Sequence, residues 1–568
     1  MIRHSRLCAA LVSVSLAVGG QAIAQVAPDT QVRQSGSDRL ELPDFEEPPK
    51  LQFTLPPLEI PPQQQLSTSA IVYVRKFLFV GNTTFSDAEL AEVTAPYEGR
   101  EITTDELLAV RQNITRYYVS RGYINSGAVI PDQDVSQGTV TLNIVEGTLT
   151  STKIFGNVAL LDGYIINRLA GAEGEILNVN ELQERFQLLL QDPLINSLNA
   201  ELGPGVAPGE AELKIIVEED QPHHAYASFN NHHSPSIGAV GGDIKFVLRS
   251  LTGLGDTLEL NLEGTEGSIT GSVDFALPIT ASDTFLRFGY ERNDSEVVET
   301  PFKDVEIESE SETFKFSIDH PIYLTTRQRL TVGLTLEKRK SKTFLLGVPF
   351  SFSPGVRLGK STITALRIYQ GWIDRSRTRV VAARSTFSWG IPALGGTENV
   401  NAPDSEYLTW LGQMQIAQRL WESENQLIFR ADAQLSRDPL LPIEKFAVGG
   451  ANSVRGYREN QFVRDNGFVL SIEGRFPVAT VAIPGLSDAA DDGAISLAPF
   501  FDLGRSWDED VATPSPKYLY GAGIGVRWDI SADLHFEIYW GYAFRKIDNS
   551  DNDLQDEGIH FRLSTKVF

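Results

Sequence analysis

Cysteine is almost absent from this 568-residue sequence, which contains only Cys8. Cys8 lies in the signal peptide predicted below, so the mature chain would have no thiol for a disulfide, a cysteine-ligated metal site or a cysteine nucleophile. The rest of the sequence also lacks the long uncharged apolar run of a transmembrane helix. A membrane-crossing segment would therefore consist of strands, because only helices and closed barrels satisfy all backbone polar groups in lipid.

Basic charge and enzyme motifs are lacking as well. The formal net charge is −25, which disfavours nucleic acid as a partner. No nucleophile elbow, Walker loop or zinc-protease helix is present. The pairs His223-His224 and His232-His233 stand without cysteine and without evident residues to orient them as ligands. The sequence therefore predicts no enzyme, no metal and no cofactor.

From residue 226 to the end, the chain alternates apolar and polar residues over many short stretches. In residues 427–435 the apolar side chains share one face, whereas Arg430, Asp432 and Gln434 share the other. A period of two with one apolar face is typical of a strand between two environments. A soluble sandwich would show it too, but its persistence over the whole carboxyl-terminal part favours an outer-membrane barrel. We predict an all-β transmembrane barrel over residues 221–568.

Two segments at the amino terminus have their own composition. Residues 1–24 combine a basic start, an apolar core too short to span a bilayer, and a small-residue cleavage signal at Ala22-Ile23-Ala24. This combination predicts a signal peptide. Residues 25–70 are rich in proline and poor in apolar residues, which indicates an extended linker. A signal peptide ahead of a barrel places the protein in a Gram-negative outer membrane.

An internal repeat lies between the linker and the barrel. Two predicted strands each end in Gly-Asn, at Gly81-Asn82 and at Gly156-Asn157, with the two glycines 75 positions apart. The predicted helices are 86–96 and 104–120 after the first Gly-Asn pair, and 162–170 and 179–191 after the second. Further strands complete a β-α-α-β-β unit in each copy. The two α+β modules are predicted to cover residues 71–147 and 148–220.

Two short motifs make the resemblance to a known family specific. They are Val454-Arg455-Gly456-Tyr457, between predicted strands, and Phe500-Phe501-Asp502-Leu503-Gly504, within one. With the two modules ahead of them, they resemble the transporter component of two-partner secretion, the TpsB family of ShlB/FhaC/HecB type. The modules look like POTRA domains, which bind polypeptide in the periplasm. The first motif is similar to that of an external loop which folds back into the barrel, and the second to that of the strand facing this loop.

The strand count is independent of this resemblance. We place strands near 226–233, 241–250, 256–264, 269–278, 283–292, 312–319, 328–337, 361–370, 377–387, 407–418, 425–436, 467–477, 495–505, 519–529, 534–545 and 558–568. These are 16 antiparallel strands, an even number as in single-chain bacterial barrels. If the first strand leaves the periplasm, the loop after the eleventh is the sixth external loop and contains Arg455. That is where the family carries its motif.

Arg455 and Asp502 are interpreted as a clamp inside the barrel. A guanidinium presents a rigid fork that one carboxylate can accept with two hydrogen bonds, so the pair would fix both the position and the direction of a long loop. Gly456 would allow a tight turn and Tyr457 would pack against the wall. The alternative is a loop arginine and a strand aspartate that never meet.

The resemblance implies export of an unfolded exoprotein of haemagglutinin, haemolysin or adhesin type, a TpsA-like partner. The modules would capture an extended segment by adding it to an exposed sheet edge. Outer-membrane lipid and the barrel-assembly machinery are the other expected partners. In the family a plug helix precedes the linker, and residues 25–42 show only a weak helical pattern.

Two other functions remain open. A barrel-assembly factor of the same superfamily would share the architecture, although such factors usually carry more POTRA domains. A diffusion porin or receptor would need no module repeat.

Phe568 ends the chain and is predicted to be an assembly signal for the barrel. The apolar residues Phe561, Leu563 and Val567 are out of phase with it, whereas Lys566 shares its parity. The final strand thus departs from the usual pattern.

Overall fold

The structure, a computed structural model, describes residues 40, 42–43, 45, 51–54, 71–169, 175–421, 424–487, 489, 492–549 and 553–568. The predicted signal peptide and most of the predicted linker, including the possible plug helix, lie outside these residues. The chain divides into two units. The module unit comprises Glu47–Pro222 and Ser250–Gly255, and the barrel unit comprises Met1–Glu46, His223–Arg249 and Asp256–Phe568.

The first half of the module unit is a three-stranded sheet with two helices. In chain order its elements, after β1 (Leu51–Thr54), are β2 (Ile71–Val74), β3 (Lys76–Val80), α1 (Asp87–Thr94), β4 (Arg100–Thr103), α2 (Thr104–Val119), β5 (Gly127–Val129) and β6 (Thr139–Val145). Strand β6 lies between β3, to which it is parallel, and β5, to which it is antiparallel. Capping boxes at Ser86 with Glu89 and at Thr103 with Glu106 begin the two helices. Leu90 and Ile114 bury the helices against the sheet.

The second half repeats this topology. Its elements are β7 (Thr148–Phe155), α3 (Asp162–Leu169), α4 (Val179–Leu189), β8 (Ile195–Pro204) and β9 (Glu210–Glu219). Strand β9 lies between the parallel β7 and the antiparallel β8. Strand β1 adds to the outer edge of β8 in parallel orientation, so this sheet has the order β1-β8-β9-β7. No helix among the described residues is long and apolar enough to cross a membrane.

The barrel unit is a closed antiparallel barrel. Its strands in chain order are β10 (His223–Asn230), β11 (Gly241–Arg249), β12 (Thr257–Thr265), β13 (Ser268–Pro278), β14 (Phe285–Glu296), β15 (Ile307–Leu324), β16 (Gln328–Leu345), β17 (Val348–Pro349), β18 (Lys360–Arg375), β19 (Arg379–Ile391), β20 (Leu408–Arg419), β21 (Gln426–Ser436), β22 (Phe446–Val448), β23 (Phe462–Arg464), β24 (Asn466–Thr480), β25 (Ala494–Trp507), β26 (Tyr518–Asp529), β27 (Leu534–Ala543) and β28 (Ile559–Lys566). Within the described residues, sixteen long strands form the wall, and the two-residue β17 extends the end of β16. Strand β28 pairs with β10 and closes the barrel. The prediction of a 16-stranded barrel is confirmed.

The two faces of the wall differ as the alternation predicts. Phe316 on β15 and Trp540 on β27 point outward and are 53% and 51% exposed. Gln434 on β21 and Glu473 on β24 are buried on the inner side. An apolar outer face around a polar interior is the arrangement that lipid requires.

Several strands are longer than predicted, β15 and β16 most of all. Strands β15 and β16 each contain 18 residues, whereas the sequence predicted 312–319 and 328–337. Their outer ends carry charged residues, so the apolar alternation stops before the hydrogen-bonded pairing does. Glu310 and Lys342 lie opposite each other there, with Lys342 Nζ 2.9 Å from the Glu310 carboxylate. Cross-strand charge pairs thus continue the sheet beyond the apolar band.

Residues 437–465, here called the inner loop, connect β21 to β24. The loop contains a short 3₁₀ turn at Pro442–Glu444 and the hairpin of β22 with β23. Its residues around Val454 are buried among side chains of the wall. The hairpin therefore carries the loop tip into the barrel interior.

A few residues ahead of β1 belong to the barrel unit. The Leu40 carbonyl accepts a hydrogen bond from Gln415 Nε2 on β20. The Arg419 guanidinium lies 4.4 Å from the centre of the Phe45 ring. This part of the predicted linker segment is thus in contact with the barrel wall.

Candidate functional site: a loop held inside the barrel

The structure places Val454, Arg455 and Tyr457 in the buried tip of the inner loop. Gly456 has φ +95°, a left-handed conformation that glycine adopts without strain. The Tyr457 hydroxyl donates to the Tyr520 carbonyl at 3.1 Å and accepts from the Arg545 backbone N–H at 3.2 Å. The tip is therefore hydrogen-bonded to the wall through Tyr457, directly after Gly456.

The Arg455 guanidinium forms a bidentate hydrogen bond with the Asp502 carboxylate on β25. Its Nε donates to Oδ2 at 2.8 Å and its Nη2 donates to Oδ1 at 3.0 Å. The Arg455 backbone N–H adds a third bond to Oδ2, at 3.0 Å. Arg455 is 4% exposed and Asp502 is fully buried. A bidentate ion pair thus joins the two motifs. It fixes the orientation of the loop tip as well as its distance from β25.

Sequence reasoning missed three further contacts of this arginine. Arg455 Nη1 lies 2.5 Å from the Glu473 carboxylate, and its Nη2 donates to Ser471 Oγ at 3.3 Å. The guanidinium carbon lies 3.7 Å from the centre of the Phe500 ring, a cation–π contact. Glu473 and Ser471 share the inward face of β24. The sequence did offer one signal for this contact, because Glu473 is an acidic residue on the polar face of a strand next to the loop.

A second arginine contacts Glu473. Glu473 also pairs with Arg475, at 2.8 Å, so two arginines face two carboxylates. We call Arg455, Arg475, Glu473 and Asp502 the tip clamp. Burial opposes the charged form of Arg455, but Asp502 and Glu473 outweigh it and raise the pKa of Arg455 above its ordinary value. Arg455 therefore keeps its positive charge.

Gly504 of the second motif makes room for the loop. A Cβ at this position would lie 2.5 Å from Val448 Cγ1 and 2.8 Å from Val454 Cγ2. Both valines are fully buried members of the loop. Any larger residue at 504 would push the loop away from β25.

The Gly-Asn turns of the two modules have the same geometry. At Gly81 (φ +92°) a Cβ would lie 2.6 Å from the Ile144 carbonyl oxygen, and at Gly156 (φ +89°) it would lie 2.3 Å from that of Val217. The Asn82 side chain donates to the Phe85 carbonyl at 3.0 Å and to Asp87 Oδ1 at 2.9 Å. The Asn157 side chain donates to the Leu160 carbonyl and to Asp162 Oδ1, each at 2.8 Å. Both turns thus fasten the end of a strand to the start of a helix.

A glutamate completes each turn, and sequence reasoning missed both. Glu146 accepts from the Thr84 backbone N–H at 2.8 Å and from the Tyr118 hydroxyl at 2.9 Å. In the second half, Glu219 accepts from the backbone N–H groups of residues 158–160. Each glutamate closes its module by tying the last strand to the loop before the first helix.

The environment of Glu146 shifts its pKa. Partial burial would raise this pKa, but hydrogen bonds from Thr83 and Thr84 outweigh it and lower the pKa below its ordinary value. Burial, followed by the bond to Glu146, raises the pKa of Tyr118. The carboxylate is therefore charged and the phenol neutral at physiological pH.

Phe568 lies at the seam of the barrel. Its carbonyl accepts from the Ala225 backbone N–H at 3.1 Å, and the Val567 N–H donates to the Ala225 carbonyl at 2.7 Å. The Phe568 side chain is exposed. Its role as an assembly signal stays a prediction.

No group of three or more potential metal ligands occurs in the part of the chain that the structure describes.

The family described as Haemolysin secretion/activation protein ShlB/FhaC/HecB matches residues 209–528, more than half of the chain. The chain belongs to this family. A POTRA domain of ShlB type also matches residues 72–147. Members of the family are outer-membrane transporters of two-partner secretion, not enzymes, and their POTRA domains lie in the periplasm. The barrel of this transporter therefore spans the outer membrane.

Curated relatives and a solved structure show the same likeness. The chain is 22% identical over 460 residues to the heme/hemopexin transporter protein HuxB of Haemophilus influenzae (strain 86-028NP), covering 77% of each chain. It is 22% identical over 472 residues to the outer membrane transporter CdiB of Dickeya dadantii (strain 3937), covering 80% of each. The structure of CdiB from Escherichia coli aligns with a TM-score of 0.66 at 20% identity, over 90% of this chain and 94% of that one. At that identity the structural likeness shows the fold.

Proposed function

We propose that this transporter exports a large unfolded exoprotein through its barrel and that the inner loop is the gate. The observation that carries the proposal is the tip clamp. A bidentate ion pair holds the loop tip in one defined position, and its charged groups can bind water instead when the tip moves. Removing the loop tip from the interior would open a path through the barrel.

Capture of the exoprotein is assigned to the module unit. Residues 148–220, with the same topology and turn geometry as residues 71–147, are proposed to be a second POTRA domain. In the first module, strands β3 and β5 each pair only with β6 within the described residues. Their outer edges offer backbone donors and acceptors to an extended polypeptide, the recognition mode known as β-augmentation. An unfolded chain satisfies that requirement and a folded one does not.

The direction of transport follows from folding outside the cell. The periplasm supplies no ATP, so the free energy for passage has to come from the cargo itself. A segment that folds after it emerges cannot slide back through the barrel. The haemagglutinin, haemolysin or adhesin type of cargo is proposed from the family resemblance.

The experiment is deletion of residues 72–146 in cells that express the transporter together with its exoprotein partner. Secretion should stop, while the barrel still inserts, because the barrel closes its own hydrogen bonds. Heat-modifiable electrophoretic mobility of the barrel is the control for insertion. In addition, a purified fragment covering residues 72–220 should bind the unfolded amino-terminal part of the exoprotein.

The same strains separate this function from its alternatives. Normal secretion by the deletion variant would contradict the proposal. A general loss of other outer-membrane barrels would instead indicate an assembly factor. Absence of binding at high micromolar fragment concentration would favour a porin.

A further inference from the structure

Besides the tip clamp and the ion pairs of Arg458 with Glu299 and Asp556, the inner loop makes buried ionic contacts at its base. Glu444, in the 3₁₀ turn before β22, is 2% exposed. Arg367 of β18 donates from Nη2 to both Glu444 carboxylate oxygens, at 2.8 and 3.0 Å. The same Nη2 lies 3.0 Å from Glu337 Oε1 on β16, and Nη1 donates to Ser388 Oγ at 2.7 Å. The loop is thus joined to two wall strands through one arginine.

Arg339 of β16 completes this group. Its Nη1 donates to the Ile443 carbonyl at 3.0 Å, its Nε lies 2.5 Å from Glu337 Oε1, and its Nη1 lies 3.7 Å from Glu444 Oε1. We call Glu337, Arg339, Arg367 and Glu444 the base cluster. It contains two positive and two negative charges, all largely buried. Its internal charge balance matches that of the tip clamp.

The two groups have opposite polarity with respect to the loop. At the tip, the loop contributes the cation Arg455 and the wall contributes the excess of carboxylates. At the base, the loop contributes the anion Glu444 and the wall contributes the excess of guanidinium groups. The base cluster lies on β16 and β18, whereas the tip clamp lies on β24 and β25, with β19, β20 and β21 between them in the barrel. If the two ends of the loop changed places, Arg455 would therefore face the guanidinium groups and Glu444 would face the carboxylates.

Two adjacent glycines lie between the two attachments. Gly449 and Gly450 follow β22 directly and have φ +117° and +103°, conformations that glycine adopts freely. On the base side, Leu440, Leu441 and Ile443 are buried against the wall. The base is thus held by apolar packing as well as by charge, and Gly449 and Gly450 separate it from the tip.

We propose that Glu444 is a positioning residue that holds the base of the inner loop on β16 and β18 independently of the tip clamp. The tip then leaves Asp502 by turning about Gly449 and Gly450, while the base stays in place. This deepens the proposed function, on which it rests for taking the loop to be the gate. Gating is accordingly a movement of the loop tip and not of the whole loop.

The test measures the reactivity of cysteine reporters in the full-length transporter, in intact cells without exoprotein. Ala447→Cys reports on the base and Ser453→Cys on the tip, and both positions are buried. Glu444→Gln should raise the rate of maleimide labelling at position 447 by roughly tenfold or more and leave position 453 unchanged, since local opening sets the rate. Arg455→Ala should do the reverse.

A second measurement tests the charge balance of the base cluster. If Glu444 acted only through packing, removing a second charge would not restore protection. Adding Arg367→Gln to Glu444→Gln leaves Glu337 paired with Arg339 and should restore protection at position 447. Glu310→Gln is the matched control, because Glu310 forms an exposed ion pair at the outer end of β15 and such pairs contribute little. It should change neither reporter.

Three results would overturn the inference. They are equal exposure of both reporters by Glu444→Gln, no change at position 447, and a double variant more exposed than Glu444→Gln alone. If Glu444→Gln fails to insert, Glu444→Asp and the double variant carry the same comparison. The labelling experiment contains no exoprotein, so it tests only how the loop is anchored. Export is tested separately by measuring secretion, and the two outcomes can therefore be told apart.

Discussion

Replacing Arg455 by alanine should release the inner loop more completely than replacing Asp502. Arg455→Ala leaves the carboxylates of Asp502 and Glu473 buried without the arginine between them. Asp502→Ala leaves Arg455 in contact with Glu473 at 2.5 Å. Both variants break the same ion pair, but they differ in the charged group that loses its partner. Arg455→Ala leaves a buried carboxylate without it, whereas Asp502→Ala leaves an arginine that still contacts Glu473.

The size of the effect follows from the burial of the three groups, whose side chains are at most 5% exposed. Removing one partner of a buried pair costs about 3–5 kcal/mol in a dry interior. Water in the lumen screens part of this, so we expect about 2–3 kcal/mol for Arg455→Ala and about 1–2 kcal/mol for Asp502→Ala. A loss of about 2–3 kcal/mol is a change of roughly 30- to 160-fold in the ratio of docked to released loop.

The double variant distinguishes a contacting pair from two independent residues. Once Arg455 is absent, removing Asp502 also removes a stranded carboxylate, so Arg455→Ala/Asp502→Ala should be no worse than Arg455→Ala. Such non-additivity is expected of residues in contact. Arg455→Lys should rescue only partly, because lysine keeps the charge and loses the fork.

The assay is amide hydrogen exchange of residues 449–461 in the purified transporter, with secretion and channel conductance measured in parallel. Arg377→Ala, in an exposed turn between β18 and β19, is the matched control and should match the parent protein. Exchange rates in the loop should rise in the order Asp502→Ala, then Arg455→Ala, while the barrel strands stay protected. Strictly additive effects in the double variant, or normal secretion from either alanine variant, would refute the clamp.

Three further predictions concern Gly504, Glu146 and Phe568. Gly504→Val should displace the loop and raise conductance with the barrel still folded, whereas unchanged conductance would show that the loop tolerates the added side chain. Because the folded-state pKa of Glu146 is lowered, its stabilisation of about 1–3 kcal/mol is present above the ordinary carboxyl pKa and is lost as the pH falls through the folded pKa. Glu146→Gln should therefore destabilise a fragment covering residues 71–220 in urea unfolding at pH 7 and differ less from the parent at pH 3, and a constant difference would be the contrary result. Deletion of Phe568 should lower the amount of heat-modifiable barrel in the membrane, and normal levels would exclude an assembly signal.

The barrel was predictable from the sequence because one side of each strand has to face lipid. Alternation in residues 427–435 and around Phe316 locates strands without any knowledge of their partners. It fails at the outer ends of β15 and β16, where both faces are polar and only cross-strand pairing, as of Glu310 with Lys342, keeps the chain extended. Strand ends beyond the membrane are therefore the poorly predictable part.

The candidate site was predictable only where a short motif carries it. Arg455 and Asp502 each lie in such a motif, whereas Glu473 and Glu444 stand in segments without one. Their contacts depend on the register of neighbouring strands and on the path of the inner loop across the lumen. Neither quantity can be read from a linear pattern of residue types. The same holds for Glu146, whose partners Thr83 and Thr84 lie more than 60 positions earlier in the chain.

The most direct test of transport through the barrel is photo-crosslinking to an exoprotein stalled in passage. A photoreactive residue replaces Gln413, which is buried on the inner face of β20, and in a matched control it replaces Phe387, which is exposed on the outer face of β19. The exoprotein is halted by fusion to a stably folded domain. We predict adducts with the exoprotein from position 413 and none from position 387. Continued export without adducts at position 413, or adducts mainly at position 387, would contradict passage through the lumen.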